Sequence, residues 1–355
     1  MTPSSAFAEI TKFAGAKDKQ IVGQILNGLD FLNDVRTARR VPGTGMLLPK
    51  MKVNKGNRPL NFDVLTADGT NRDFSGRKLF VKPGMKVIRI VPMEAFQTFM
   101  DEGMDPKKTE LPMFAQWVWQ QEMNKISADI NDNIYHSVFK ADATAYSGAT
   151  AYVGGTDYML FTDNHIYKCV TTTTAGQTPI THPAKWSKVS ESVISEGWGS
   201  IIAGMVSGSE CNVTSTGALT SSNALSKVDL MYKDMTPAHR RIGGVFYLSS
   251  DNYLNYLEEE KVVFPMVLNQ TMGDGKKYVY GSGKKWEVRE ATWLGTSGRV
   301  IATQSENLIF GTNLESDMTS IGEPVKDLHG ANWAVKWLQG CEISDGETLY
   351  VNDQL

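Results

Sequence analysis

The chain has 355 residues, 41% of them hydrophobic and 21% charged, with a formal net charge of −3. That is room for one large domain or two ordinary ones, and it excludes a chain that is disordered or membrane-embedded throughout. Residues 1–90 carry 16 Lys and Arg against 7 Asp and Glu, whereas the other 265 carry 20 against 32. A basic arm thus precedes an acidic body, a distribution suited to acidic neighbours or to a polyanion, a solvated arm being the plainer alternative. No apolar run nears the roughly 20 residues that span a bilayer. The N-terminal stretch lacks the apolar centre of a secretory signal. Cys169, Cys211 and Cys341 lie far apart without a CxxC, which argues against a disulfide framework or a zinc site and for a reduced, cytoplasmic compartment.

Residues 1–45 read as an arm. Ile21, Ile25, Leu29 and Leu32 recur at helical spacing and predict a helix over about 18–35. Arg36, Arg39 and Arg40 follow, and a Pro-Gly break at 42–43 ends the segment. Alternation over 60–65, 78–82 and 85–91 predicts strands, with a long hairpin whose polar tip covers 66–77. Few of its residues suit a core, so it is expected to rest on another chain. A short helix over 93–102 comes next, then a long one over about 109–139, with Thr109 as cap and Pro112 in the first turn. Trp119, Met123, Ile126, Ile130, Ile134 and Val138 form its apolar stripe. Thirty residues would rise about 45 Å, a spar across an elongated molecule.

Residues 143–190 change composition: ten of 48 are Thr and only five are charged. Strands are predicted at 158–161, 166–170 and 186–189, as in a small inserted β-module. Its rings Tyr152, Tyr158, Tyr167 and Trp186 have two readings. Exposed, they would stack on sugar faces; buried, they would be the core that so small a module needs. Helices over 191–207 and 222–234, a strand over 244–249 and a helix over 253–260 indicate an α/β layer. Short strands follow at 278–280, 286–290, 299–303, 307–311, 333–337 and 349–351.

Signatures of catalysis are absent. Gly281-Ser-Gly-Lys-Lys-Trp286 lacks the spacing and the Ser or Thr of a phosphate loop and reads as a hairpin turn. Asp129, Asn131 and Asn133 begin like a calcium loop, but Ile134 replaces its glycine and the run lies within a helix. The five histidines have no paired ligand spacing, and there is no GxSxG. No enzyme activity, cofactor or metal is expected.

The order of arm, long hairpin, spar helix, α/β region and closing strands resembles the major capsid proteins of tailed bacteriophages, the Hong Kong 97 phage fold. The residues that carry the likeness are Asn223-Ala-Leu-Ser-Lys-Val-Asp-Leu-Met-Tyr-Lys-Asp-Met-Thr-Pro237, Arg241 to Leu254, Trp286 to Leu294, Val300 to Thr303, and Glu306-Asn-Leu-Ile-Phe-Gly-Thr-Asn313. The resemblance implies an α+β fold divided into an N-terminal arm (1–45), an extended loop (46–84), a peripheral domain with a spine helix (85–142), an axial domain (191–325) and return strands to the peripheral domain (326–355). It also implies a shell of hexamers and pentamers around double-stranded DNA, made in the host cytoplasm and carried in the virion. Partners would be other copies, a portal, and scaffolding or decoration proteins, with no membrane. Arg36, Arg39, Arg40, Arg58, Arg72, Arg77 and Lys78 would then lie between subunits. Some members weld chains through a Lys–Asn bond; spacing alone does not match Lys78 with Asn313, and no crosslink is expected. Residues 143–190, through Asn164 to Pro179 and Trp186-Ser-Lys-Val189, are similar to chitin-binding carbohydrate modules, with Tyr167 and Trp186 at the aromatic positions. That likeness implies an outward module with surface glycans as ligands. The alternatives are a bacterial encapsulin shell and a carbohydrate-binding adhesin.

Overall fold

The computed structural model describes residues 28–42, 45–53, 72–90, 114–137, 144–162, 166–188, 194–264, 276–304, 306–312, 325–326 and 331–354. The helix expected over 93–102 and the strand over 60–65 lie outside them, as do Thr109, Pro112, Val138 and Arg58.

Two sheets make the body. The first is ordered β1 (Arg36–Arg39), β13 (Leu308–Thr312), β15 (Ala331–Ile343), β14 (Val325–Lys326), and β4 (Lys82–Ile90) also pairs with β15. β15 shows how sequence sets this sheet. Trp333, Val335, Trp337, Gln339, Cys341 and Ile343 point inward and are buried, at the strand period of two. Across that inner face lies α1 (Phe114–Asn133), whose Trp119, Met123, Ile126 and Ile130 are buried, as is Ile134 just beyond its end. Trp119 meets Trp333 edge to face, centroids 6.2 Å apart. Lys86 of β4 pairs with Glu122 of α1 at 3.1 Å. The stripe from Trp119 to Ile134 is as expected; the described part of the helix is 20 residues, about 30 Å, and ends at Asn133, short of the expected 139, while its expected start lies outside the described residues.

The second sheet runs β10 (Lys277–Tyr278), β11 (Trp286–Glu290), β9 (Gly244–Leu248), β12 (Ile301–Thr303), β16 (Tyr350–Asn352) and β8 (Asn212–Thr214). α3 (Ala224–Asp234) and α5 (Ser250–Val263) cover one face and enclose Val228, Met231, Phe246, Tyr256 and Trp286. α2 (Trp198–Ser207) joins α1 and both sheets in the larger core. α4 (Pro237–Ile242) is capped by the Thr236 hydroxyl, which accepts from the His239 N–H. The two sheets share strands differently from the expected division. β13 falls within the region assigned to the axial domain yet sits beside β15. β16 falls within the return segment yet pairs with β12 and β8. Both strands are buried on each face, so their composition does not reveal which sheet takes them.

The expected 18–35 helix is corrected where it is described. Residues Asp30–Asn33 form a 3-10 turn and Arg36–Arg39 a strand, parallel to β13. The turn is fixed by Asp34. Its carboxylate accepts from Arg289 Nη1 at 2.7 Å and from Trp293 Nε1 at 3.1 Å, and its backbone carbonyl accepts from the Tyr247 hydroxyl at 2.8 Å. Asp34 is buried, so Asp34→Ala leaves the Trp293 indole N–H and the Nη1 of Arg289, whose other nitrogens stay on Glu287, without their acceptor. The expected cost is about 3 kcal/mol, read as a shift in the denaturant midpoint with unchanged slope.

The inserted module is a three-stranded antiparallel sheet, β5 (Tyr158–Leu160), β6 (Ile166–Cys169) and β7 (Trp186–Lys188). It has its own core of Tyr152, Met159, Phe161, Cys169 and Trp186.

Candidate assembly surface

The hairpin pairs β2 (Met46–Val53) with β3 (Arg72–Leu79), Met46 opposite Leu79 and Val53 opposite Arg72. Residues 72–77, expected in the tip, are therefore strand. Directly opposed residues share a face. The inward face carries Leu48 and Leu79, which pack with Ala38, Val41, Val81 and Ile309. Gly340 of β15 lets the chain pass as it leaves the hairpin, because a Cβ there would collide with the carbonyl oxygen of Phe80. The root thus rests on its own chain, which corrects the expectation that the hairpin finds support only in a neighbour.

Charges complete the anchorage. Lys50 bonds Asp345 at 2.6 Å and Glu347 at 3.2 Å, and Lys52 bonds Glu347 at 3.3 Å. From β3, Arg77 bonds Glu342 at 2.9 Å and Glu210 at 2.5 Å. Arg77 is thereby an intrachain clamp, its guanidinium engaged on two sides. Partial burial disfavours the Lys50 and Arg77 cations, but hydrogen bonds to their carboxylates outweigh it and raise both pKa values. Hydrogen bonds from Lys50 and Lys52 hold Glu347 below its ordinary value.

The signs fix a pH window. The Glu347 contribution is present above the ordinary carboxylate range and is lost as pH falls through its depressed value. The Lys50 contribution is present below the ordinary lysine range and is lost only as pH rises through its raised value. The clamp therefore holds from weakly acidic to strongly alkaline solution and opens in acid. Comparison of Glu347→Gln with wild type should show a stability deficit below about 1 kcal/mol at neutral pH, shrinking to zero on acidification. A deficit that grows in acid contradicts the assignment.

Among the described residues nothing covers the outward face. Leu47 and Met51 are each 56% exposed and Phe74 is 76% exposed, with exposed Pro49 between them on β2 and Gly76 opposite it. Lys78, opposite Leu47, is exposed on the same face. The outer face of the first sheet is similarly open at Met85 and Val87. Arg36, Arg39 and Arg40 lie exposed at the β1 edge.

In the module, the four rings do not form an open platform. Tyr152 and Trp186 are buried, and the Trp186 indole donates to the Gln177 carbonyl at 3.2 Å. Tyr167 packs against that core, and Lys168 lies over the Tyr158 ring at 5.7 Å. Burial takes Tyr152 and Trp186 out of the sugar-stacking reading, whereas Tyr158 and Tyr167 are half-buried. The other sequence readings settle simply. Asp129, Asn131 and Asn133 lie on α1, where Asp129 pairs with Lys125 and Asn131 bonds the backbone of Gly28 and Asp30. Among the described residues no group of three His, Cys, Asp or Glu is placed to hold a metal, and no helix is long and apolar enough to cross a membrane.

No protein-family model and no curated protein sequence matches the chain. Solved structures do. A chain of the satellite phage P4 procapsid including size determination (Sid) protein is 10% identical, with a TM-score of 0.47 over 94% of this chain and 98% of that one. A chain of the capsid of Myoviridae phage XM1 is 10% identical, with a TM-score of 0.46 over 91% of each. A chain of the virus-like particle from Pyrococcus furiosus is 8% identical, with a TM-score of 0.39 over 94% of this chain and 96% of that one.

Proposed function

We propose that the chain is the repeating subunit of a closed protein shell, the major capsid protein of a tailed bacteriophage, assembling as hexamers and pentamers around DNA. The observation that carries this reading is the β2–β3 hairpin: one face locked to its own chain by a buried leucine pair and five ion pairs, the other apolar and open. A two-stranded ribbon with an uncovered apolar face is a liability in a monomer and a contact in an assembly. The run of capsid-like motifs from Asn223 to Asn313 agrees with it. The purified chain, concentrated and viewed by negative-stain microscopy, should give shells or five- and six-membered rings. Monomers at every concentration and ionic strength would overturn the reading.

A further inference from the structure

The turn between β10 and β11 gathers positive charge that, among the described residues, finds no carboxylate. Gly281, Gly283 and Lys284 all have positive φ, 78°, 61° and 65°. Glycine adopts this conformation freely, whereas a lysine there is strained. The Ser282 hydroxyl is buried within the turn and has no hydrogen-bond partner. The Ser282 and Lys285 N–H groups close the turn on the carbonyls of Val279 and Ser282, and backbone N–H groups left over in a turn of this kind receive anions.

The end of α4 abuts this turn. Lys285 Nζ donates to the Arg241 carbonyl at 3.1 Å, Trp286 Nε1 donates to the Arg240 carbonyl at 3.3 Å, and the Gly244 N–H donates to the Lys285 carbonyl at 3.0 Å. These contacts bring the backbone at Arg240 and Arg241 beside Lys284 and Lys285. Among the described residues none of the four forms an ion pair, and Arg240 Nε is buried without a partner. Two nearby acids are already paired elsewhere, Glu287 with Arg289 and Lys276 and Glu260 with Lys277. The patch also lies in the acidic part of the chain, where Asp and Glu outnumber Lys and Arg by 32 to 20. A cluster so placed is not offset by its surroundings and attracts an oxyanion from outside the subunit.

We propose that the 281–285 turn, with Arg240 and Arg241, binds phosphate groups of a nucleic-acid backbone. The phosphate chemistry rests on the turn and its cations; nucleic acid as the source rests on the shell reading. The Gly-Ser-Gly-Lys-Lys sequence is thus a hairpin turn, as its spacing indicates, and an anion site by its conformation.

Binding of a short labelled DNA duplex to the full chain, followed by fluorescence anisotropy over a salt series, tests this. Arg241→Gln with Lys284→Gln and Lys285→Gln should weaken binding at least about tenfold at low salt. The slope of log affinity against log salt should become shallower by about 2 to 3, one phosphate contact accounting for roughly 0.9. Lys284→Gly separates contact from folding. It relieves the strained backbone, so the variant should melt no lower than wild type and still bind the duplex more weakly. Unchanged affinity and slope in both variants would overturn the site. Binding of inorganic phosphate by calorimetry, with no duplex binding, would overturn nucleic acid as its source. Weakened self-association with unaltered duplex binding would make the patch a subunit contact and overturn the proposal. Shells scored on the same variants keep the two readings apart: shells with unaltered duplex binding sink the phosphate site alone.

Discussion

A subunit carrying Leu47→Ser, Met51→Ser and Phe74→Ser is expected to fold and melt as wild type does and to form no closed shell. The three side chains are more than half exposed in the subunit, so their loss removes little internal packing and should move stability by no more than about 0.5 kcal/mol. In a shell the same side chains would be covered. Each large apolar side chain taken from water contributes about 1.5–3 kcal/mol, so three partly exposed ones are worth roughly 4 kcal/mol per contact. That weakens the contact by about a thousandfold, and the contact recurs at every subunit. The opposite face supplies the control. Leu48→Ser strikes the buried root against Leu79 and Ile309 and should destabilise the subunit itself by about 3 kcal/mol. Sedimentation velocity and microscopy of both variants beside wild type separate the two effects. Normal shells from the triple variant would show that the open face is not an assembly contact.

What the sequence shows of this arrangement depends on how local its causes are. The α1 stripe and the alternation along β15 are written at periods of three to four and of two, and the structure buries those side chains. The strand expected over 286–290 is found with those bounds. The module's strands fall within one residue of expectation because turn residues bracket them. β2 escapes because Pro49 and the adjacent Leu47 and Leu48 break the alternation; the proline is tolerated because it lies on a two-stranded ribbon with an open side. The clamp escapes for another reason. Arg77 meets partners 133 and 265 positions away, and no local pattern marks such a pairing. α4 is six residues long and sits between stronger signals. The rings of the module illustrate a choice that size decides. A unit of 48 residues cannot both display Tyr152 and Trp186 and retain a core, and it keeps the core.

That separate core makes the module removable. The chain leaves the body at Ser137 and re-enters it beside the same residue. The Gly197 N–H donates to the Ser137 carbonyl at 2.7 Å, the Ser137 hydroxyl donates to the Ser195 carbonyl at 2.5 Å, and Ser200 Oγ donates to the Ser137 carbonyl at 3.2 Å. The stem is therefore already closed by the body, and a linker of two or three glycines from Ser137 to Ile194, which packs on the body's core, spans it at about 3.5 Å per residue. Loop closure over so short a link costs less entropy than the native insertion. Excision of residues 138–193 should leave the body's melting temperature within a few degrees of wild type and leave assembly intact. Trp186→Ala provides the complementary case. Its ring is buried against Tyr152, centroids 5.3 Å apart, and its removal should cost the module about 3–5 kcal/mol, enough to unfold a unit of this size. Because Trp186 belongs to the module's cluster and not to the body's, the loss should stay local. Calorimetry should show the body's transition unchanged and the module's transition gone, with hydrogen exchange rising over residues 144–188 alone. A single transition lowered as a whole would mean that the two cores fold as one, and excision would then be expected to fail as well.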